Sequence, residues 1–256
     1  MTGFAVLLRK ELLESWRTRR LPVVAGLFLI LGIISPLTAR YLPEIIALAV
    51  GDQMTIPAPD PTVADAVLQL QKNLGQFGAL TAIVLAMGSV ATEKDRGTAA
   101  FVLTKPATRA AFLAAKLIAL GAVLAIGTAL AATVAWAYTA VLFEPLPVGG
   151  WVALAGLIWL ALMAWASITF LASTVTRSAA AAAGIGVAAL LGLSLVSAIP
   201  GVGRFLPTGL DPGALALAAG RPVERPEELA TAVLGTIAIV VGCAVLAWTS
   251  FRRQEL

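Results

Sequence analysis

Stretches free of charged side chains divide the chain into six blocks: Leu21–Ala39, Leu74–Thr92, Leu117–Phe143, Trp151–Thr176, Ser178–Val202 and Leu229–Phe251. A spanning helix needs about 20 mostly apolar residues, because the hydrocarbon core is roughly 30 Å thick and a helix rises about 1.5 Å per residue. Each block is long enough. The fourth and fifth abut at Thr174-Val175-Thr176-Arg177-Ser178 and are together far too long for one crossing, so Arg177 marks a hairpin. The pattern predicts an all-α membrane protein with six transmembrane helices in a single transmembrane domain over residues 1–256.

The flanking polar segments predict two further helices. From Phe4 to Arg20, Phe4, Leu8, Leu12 and Trp16 recur every fourth residue, while Arg9, Lys10, Glu14 and Arg17 take other faces. That suits an N-terminal amphipathic helix lying in the membrane interface, with Trp16 at headgroup level; Glu11, beside Leu7, interrupts the apolar face. Between spans five and six, Asp211-Pro212 can start a helix and Gly220 can end one. Too short to cross, this segment is expected to be a re-entrant or interfacial helix on the external side. Upstream, Pro57-Ala58-Pro59-Asp60-Pro61 excludes helix, and a short helix is expected to lead from there into span two. Small residues at every fourth position, Gly121-Ala125-Ala129-Thr133-Ala137 in span three and Ala180-Gly184-Ala188-Gly192 in span five, suggest faces for close helix approach.

Composition agrees with this pattern. Of 256 residues 59% are hydrophobic and 12% charged, with a mean hydropathy of +0.93, whereas soluble domains carry about 25% charged residues. There is no histidine and a single cysteine, Cys243, which removes a disulfide framework and histidine-ligated metal chemistry. No basic-aromatic cluster on a soluble domain suggests nucleic acid as a partner. The first apolar run lacks a small-x-small cleavage site, so the N-terminus is expected to be retained.

Charge placement orients the bundle. Arg9, Lys10, Arg17, Arg19, Arg20, Lys94, Arg96, Lys105, Arg109, Lys116, Arg177, Arg252 and Arg253, thirteen of the 18 basic residues, fall in the N-terminus, the second-to-third and fourth-to-fifth connections and the C-terminus. Those segments share one side of a six-span protein. The positive-inside rule makes that side cytoplasmic, with both termini inside.

The polar connection after span two contains the most distinctive residues. Glu93-Lys94-Asp95-Arg96 end one helix, Gly97 can break it, an apolar patch around Phe101 follows, and Pro106 can begin the next helix. On physical grounds the segment is either a rigid charged knob or an ordinary solvated loop with topogenic charges. The run Thr92-Glu93-Lys94-Asp95-Arg96-Gly97-Thr98, then Leu103-Thr104-Lys105-Pro106-Ala107-Thr108-Arg109 and Lys116, resembles the signature of ABC-2 type transporter permeases. In that family an acidic cluster leads into Gly-Thr, a Leu-[Ser/Thr]-x-Pro turn, an Arg and a Lys. Leu8-Arg9-Lys10-Glu11-Leu12 looks like the family's elbow helix, and Phe205–Gly220 like its external re-entrant helices. Lys94 departs from the pattern, which often has a second acidic residue there.

The resemblance implies a dimer of permease subunits in the cytoplasmic membrane of a prokaryote, in contact with membrane lipids and docked on a cytoplasmic ABC ATPase subunit. Glu93, Lys94, Asp95, Arg96, Gly97, Thr98, Phe101, Pro106, Arg109 and Arg177 would be the ATPase-coupling residues. No Gly-x-x-x-x-Gly-Lys-[Ser/Thr] loop occurs, so ATP and Mg would be bound by the partner and no cofactor by this chain. The six apolar blocks hold no ionisable residue other than Cys243 and Tyr138, which favours an externally driven exporter over an ion-coupled carrier. Trp136, Tyr138, Trp159 and Trp165 are candidates to line a path. A secondary carrier or non-transporting scaffold is the alternative. A membrane enzyme is disfavoured because hydroxyls such as Ser167 and Ser194 have no base beside them.

Overall fold

A computed structural model describes residues 3–50, 60–97, 108–144 and 146–254. The helices are α1 (Phe4–Arg17), α2 (Arg20–Val50), α3 (Val63–Asn73), α4 (Ala79–Met87), α5 (Ala91–Asp95), α6 (Arg109–Leu142), α7 (Val148–Val175), α8 (Ala179–Ser197), α9 (Asp211–Ala218) and α10 (Pro226–Arg252). A π-helical turn, Leu74–Gly78, joins α3 to α4, so α3, α4 and α5 continue one another. Among the described residues six helical stretches are long and apolar enough to cross a membrane: Arg20–Leu42, Val63–Asp95, Arg109–Leu142, Val148–Val175, Ala179–Ser197 and Pro226–Arg252. There is no strand among the described residues.

These helices overrun the apolar blocks, most of all at the starts of spans two and three. Lipid sets the length of an apolar run, but backbone hydrogen bonding lets a helix continue into the polar zone if its end is capped. Thr62 and Asp65 form a capping box at the start of α3. Thr108 Oγ1 accepts from Ala111 N at 3.1 Å at the start of α6. The expectation that Pro106 opens that helix is thus corrected: Thr108 is the cap, and Pro106 lies outside the described residues.

The core forms around α7, which packs against α4, α6, α8, α9 and α10. Phe170, Leu154 and Leu162 on it are fully buried. The chain therefore runs up and down around one central helix, with α1, Glu93, Arg109, Thr174 and Phe251 at one end and α9 at the other. We call these the terminal end and the far end.

Within the chain, close approach uses small residues mostly outside the expected stripes. The α2–α6 contact brings Gly32 so near Ala131 that a Cβ on Gly32 would lie 2.6 Å from the Ala131 carbonyl oxygen. On α8, Ala182 and Gly186 are buried; a Cβ on Gly186 would meet Thr169 Oγ1 at 2.3 Å, whereas Ala180, Gly184 and Ala188 are exposed. A four-residue step advances about 40° beyond a full turn, because a helix has 3.6 residues per turn. A stripe of such steps winds off its starting face. Gly121 is accordingly buried against α7 while Ala129, Thr133 and Ala137 on the same stripe are exposed.

At the far end α9 docks on the start of α7. Gly220, at φ 67°, terminates it: Arg221 N donates to Ala216 O at 2.8 Å and Gly220 N to Leu217 O at 3.2 Å, the paired bonds of a Schellman motif. Asp211 is helical itself and makes no cap; Pro212 follows it in the first turn. Eight residues rise about 12 Å, too little to cross a bilayer. The α2–α6 contact gives a direct test: Gly32→Val should destabilise the protein by roughly 1–3 kcal/mol through overpacking, seen as a lower thermal midpoint in detergent, while Gly26→Val, at an open position, should not.

Candidate functional site

The terminal end gathers most of the residues singled out in the sequence, and its organisation starts with one lysine. Lys116 lies two turns into α6, among Phe112, Leu113, Ala119 and Leu120, and its side chain is 4% exposed. A buried ammonium costs several kcal/mol unless carboxylates reach it. Two do. Glu93 Oε1 on α5 accepts from Lys116 Nζ at 2.7 Å, and Glu11 Oε1 on α1 at 3.1 Å. Lys10 closes the group from outside, 3.1 Å from Glu11, 3.3 Å from Glu14 and 3.6 Å from Glu93.

The electrostatics follow this geometry. Burial alone would push the Glu11 carboxyl up, but Lys116 and then Lys10 hold it below its ordinary value. For Lys10, burial opposes the charge, and Glu11, with smaller contributions from Glu93 and Glu14, raises it above the ordinary lysine range. Below the cluster the ammonium of Lys116 sits 5.1 Å from the Phe112 ring centre, and Phe112 stacks on Phe251 of α10 with centroids 5.8 Å apart. Charge and aromatic contacts thus tie α1, α5, α6 and α10 together.

This arrangement divides the apolar residues of α1 between the bundle and the outside. Phe4, Leu7 and Leu8 are half-buried and Ser15 is buried, but Leu12 is 38% and Trp16 63% exposed. The Phe4-Leu8-Leu12-Trp16 stripe turns about 40° per step, and so runs from half-buried at Phe4 and Leu8 to exposed at Leu12 and Trp16. Glu11, which looked like a flaw in the apolar face, is the residue that anchors the helix.

The motif after span two is divided in direction. The α5 turn begins where Ser173 Oγ of α7 accepts from Val90 N at 3.1 Å and Ala91 N at 3.0 Å. Glu93 and Lys94 point inward; Lys94 Nζ donates to Thr174 O at 2.6 Å and to Gln254 Oε1 at 3.3 Å. Asp95 and Arg96 are exposed, and Gly97, at φ 68°, ends the turn. Arg109 Nη1 donates to the carbonyls of Phe251, Arg252 and Gln254 at 3.0, 2.9 and 3.1 Å. Arg177 is exposed in the α7–α8 turn, and α5 packs against both α7 and α8, so the two segments expected to couple lie side by side. Thr98, Phe101 and Pro106 lie outside the described residues. The structure also corrects the reading that ionisable groups stay out of the bundle: Lys116, one residue before an apolar block, is buried within it. Sequence reasoning left Lys10, Glu11, Glu14, Lys116, Ser173 and Gln254 out of the site. For Glu11 and Lys116 the available signal was a charge on an apolar helical face.

Six helices long and apolar enough to span a membrane, braced at their basic end by an internal ion cluster, define a polytopic α-helical membrane protein. A family model described as ABC-2 family transporter protein matches residues 5–205, and the chain belongs to that family. Over 259 residues it is also 29% identical to the "Uncharacterized transmembrane protein YxlG" of Bacillus subtilis (strain 168), covering 100% of this chain and 99% of that protein.

The cluster's role can be measured. Lys116→Met should destabilise by about 3–5 kcal/mol, because it leaves Glu11 and Glu93 without their buried cation. In the Lys116→Met, Glu11→Leu double variant the loss should fall well short of the summed single losses, read by thermal unfolding in detergent.

Proposed function

We propose that this chain is the membrane-spanning subunit of an ATP-driven exporter, with its terminal end docked on a separate ABC ATPase subunit that binds ATP and Mg. The observation that carries this reading is the braced terminal end. A device that passes force from one protein to another must be stiff behind and accessible in front. Glu93, Lys94 and Arg109 are used inward, leaving Asp95 and Arg96 at the exposed tip beside Arg177. Membership of the family supports association with an ABC ATPase in general.

The basic residues at this end support a cytoplasmic orientation with both termini inside. Two copies would meet across surfaces that one chain leaves open. The spanning windows of α8 and α10 are each only 11% buried, against 56% for α7. Lys72 and Gln76 are exposed on the far half of span two and Ser194 on α8, polar groups better suited to a path between subunits than to lipid. Export of an amphipathic cargo fits such a mixed face. An ion-coupled carrier is the weaker reading, since the buried lysine is saturated by carboxylates at the end of the bundle rather than poised at its middle.

Two experiments test this. In a Cys243→Ser background, single cysteines at Asp60 and Glu224 should react with an impermeant thiol reagent on intact cells, and cysteines at Asp95 and Arg177 only after the membrane is opened; outside labelling of Asp95 would refute the orientation. Joint reversal, Asp95→Lys with Arg96→Glu, should weaken co-purification of the ATPase subunit at least about tenfold while leaving the thermal midpoint unchanged, because surface charges act on association rather than folding. Glu93→Lys should instead lower the midpoint. Normal ATPase binding by the reversed tip would remove it from the docking surface.

A further inference from the structure

We infer that Gln254 is a positioning residue, the latch that fastens the end of the last span to the motif after span two. The inference deepens the coupling role proposed above and rests on it for its functional half only. The last carbonyls of a helix have no partner within the helix and carry its negative dipole end, so cations are favoured there. Two such ends meet at the terminal face. Lys94 caps the end of α7 by donating to Thr174 O at 2.6 Å, and Arg109 caps the end of α10 by donating to the carbonyls of Phe251, Arg252 and Gln254. The two sides of one polar motif therefore each terminate a different spanning helix.

Gln254 joins these two caps. Its Oε1 accepts from Lys94 Nζ at 3.3 Å, its Nε2 donates to Thr174 O at 3.1 Å and to Ser250 Oγ at 3.3 Å, and its carbonyl accepts from Arg109. One amide thus touches α5, α7, α10 and, through its backbone, α6. Both amide ends are used, and the side chain is half-buried, so its orientation is fixed by its neighbours. Because Asp95 and Arg96 directly follow Lys94, any push on that tip passes through Lys94 to the ends of spans four and six together. Without the amide, Lys94 and Thr174 keep their own bond, and α10 keeps Arg109 and its packing on α7 but loses its bonds to Lys94 and Thr174.

The test compares wild type, Gln254→Ala, Lys94→Gln and the exchange Lys94→Gln with Gln254→Lys, in which a lysine at 254 again donates to Thr174 O and to the amide at 94. In the isolated subunit in detergent, amides 91–96 should exchange about tenfold faster in either single variant and return near the wild-type rate in the exchange. Unchanged exchange in Gln254→Ala would overturn the latch. With the co-purified ATPase subunit in liposomes, Gln254→Ala should bind and hydrolyse as wild type but transport at least about fivefold less per ATP, rescued by the exchange. Faster exchange with unaltered transport per ATP would leave a structural contact and overturn the positioning role. Failure of the wild type itself to bind an ATPase would instead refute the coupling reading, with the exchange measurement still deciding the latch.

Discussion

A lysine ammonium buried among aromatic and aliphatic side chains is tolerable only where carboxylates come to it, and the terminal end of this protein is arranged around that requirement. Lys116 has Glu11 on one side and Glu93 on the other. Neither carboxylate is near it in sequence, so satisfying the charge fixes the position of α1 against α6 and the position of α5 against both. Such a group adds little net stability, because the desolvation of three charges offsets most of their attraction. Its effect is on register. An apolar helix can slide along another at small cost; α1 cannot move by a turn without stranding a charge.

The far end is held differently. There α9 is pinned by backbone bonds at Gly220, by burial of Ala214 and Ala218, and by Gln71 Nε2 donating to Asp211 O at 2.9 Å. Along its edge the extended residues after Gly220 and the start of α3 border a cleft of about 610 Å³ that contains Arg221 and Arg225. One end is therefore an ion-locked block and the other a set of short helices joined by turns. Under the proposed function the first end would be driven and the second would open.

Much of this was legible in the sequence and some was not, for identifiable reasons. The six crossings and the hairpin at Arg177 followed from run lengths, which the bilayer imposes directly. The short helix at Asp211–Ala218 followed from Pro212 and Gly220, whose backbone restrictions are local. Stripes of four-residue spacing, at Phe4-Leu8-Leu12-Trp16 and at Gly121-Ala125-Ala129-Thr133-Ala137, lie only partly on faces buried within the chain, because each step winds about 40°. The role of Glu11 was hidden because its partner lies 105 residues away. Reading Lys94 as a departure from a charge pattern also missed its use, since a cation at that place caps the end of another helix, which only the tertiary fold reveals.

The hydroxyls in the middle of the bundle leave most of the contact between spans to packing. Thr128 donates to Leu124 O at 2.8 Å, Thr169 to Trp165 O at 2.9 Å and Thr236 to Ala232 O at 2.7 Å; Ser167 donates likewise to Met163 O. Each bonds the preceding turn of its own helix, so these polar groups are satisfied without joining one span to the next. Contact between α2 and α6 is instead the close approach of Gly32 to Ala131, which is steric. Hydrogen bonds across helices in this region include Trp159 Nε1 to Gly121 O and Asn73 Nδ2 to Ser35 Oγ. Small-residue packing resists separation but has no directional bond to break when one helix tilts on another. The bundle is thus clamped by charge at the terminal end, while above it α2 rests on α6 through steric contact and α7 keeps an indole bond to α6.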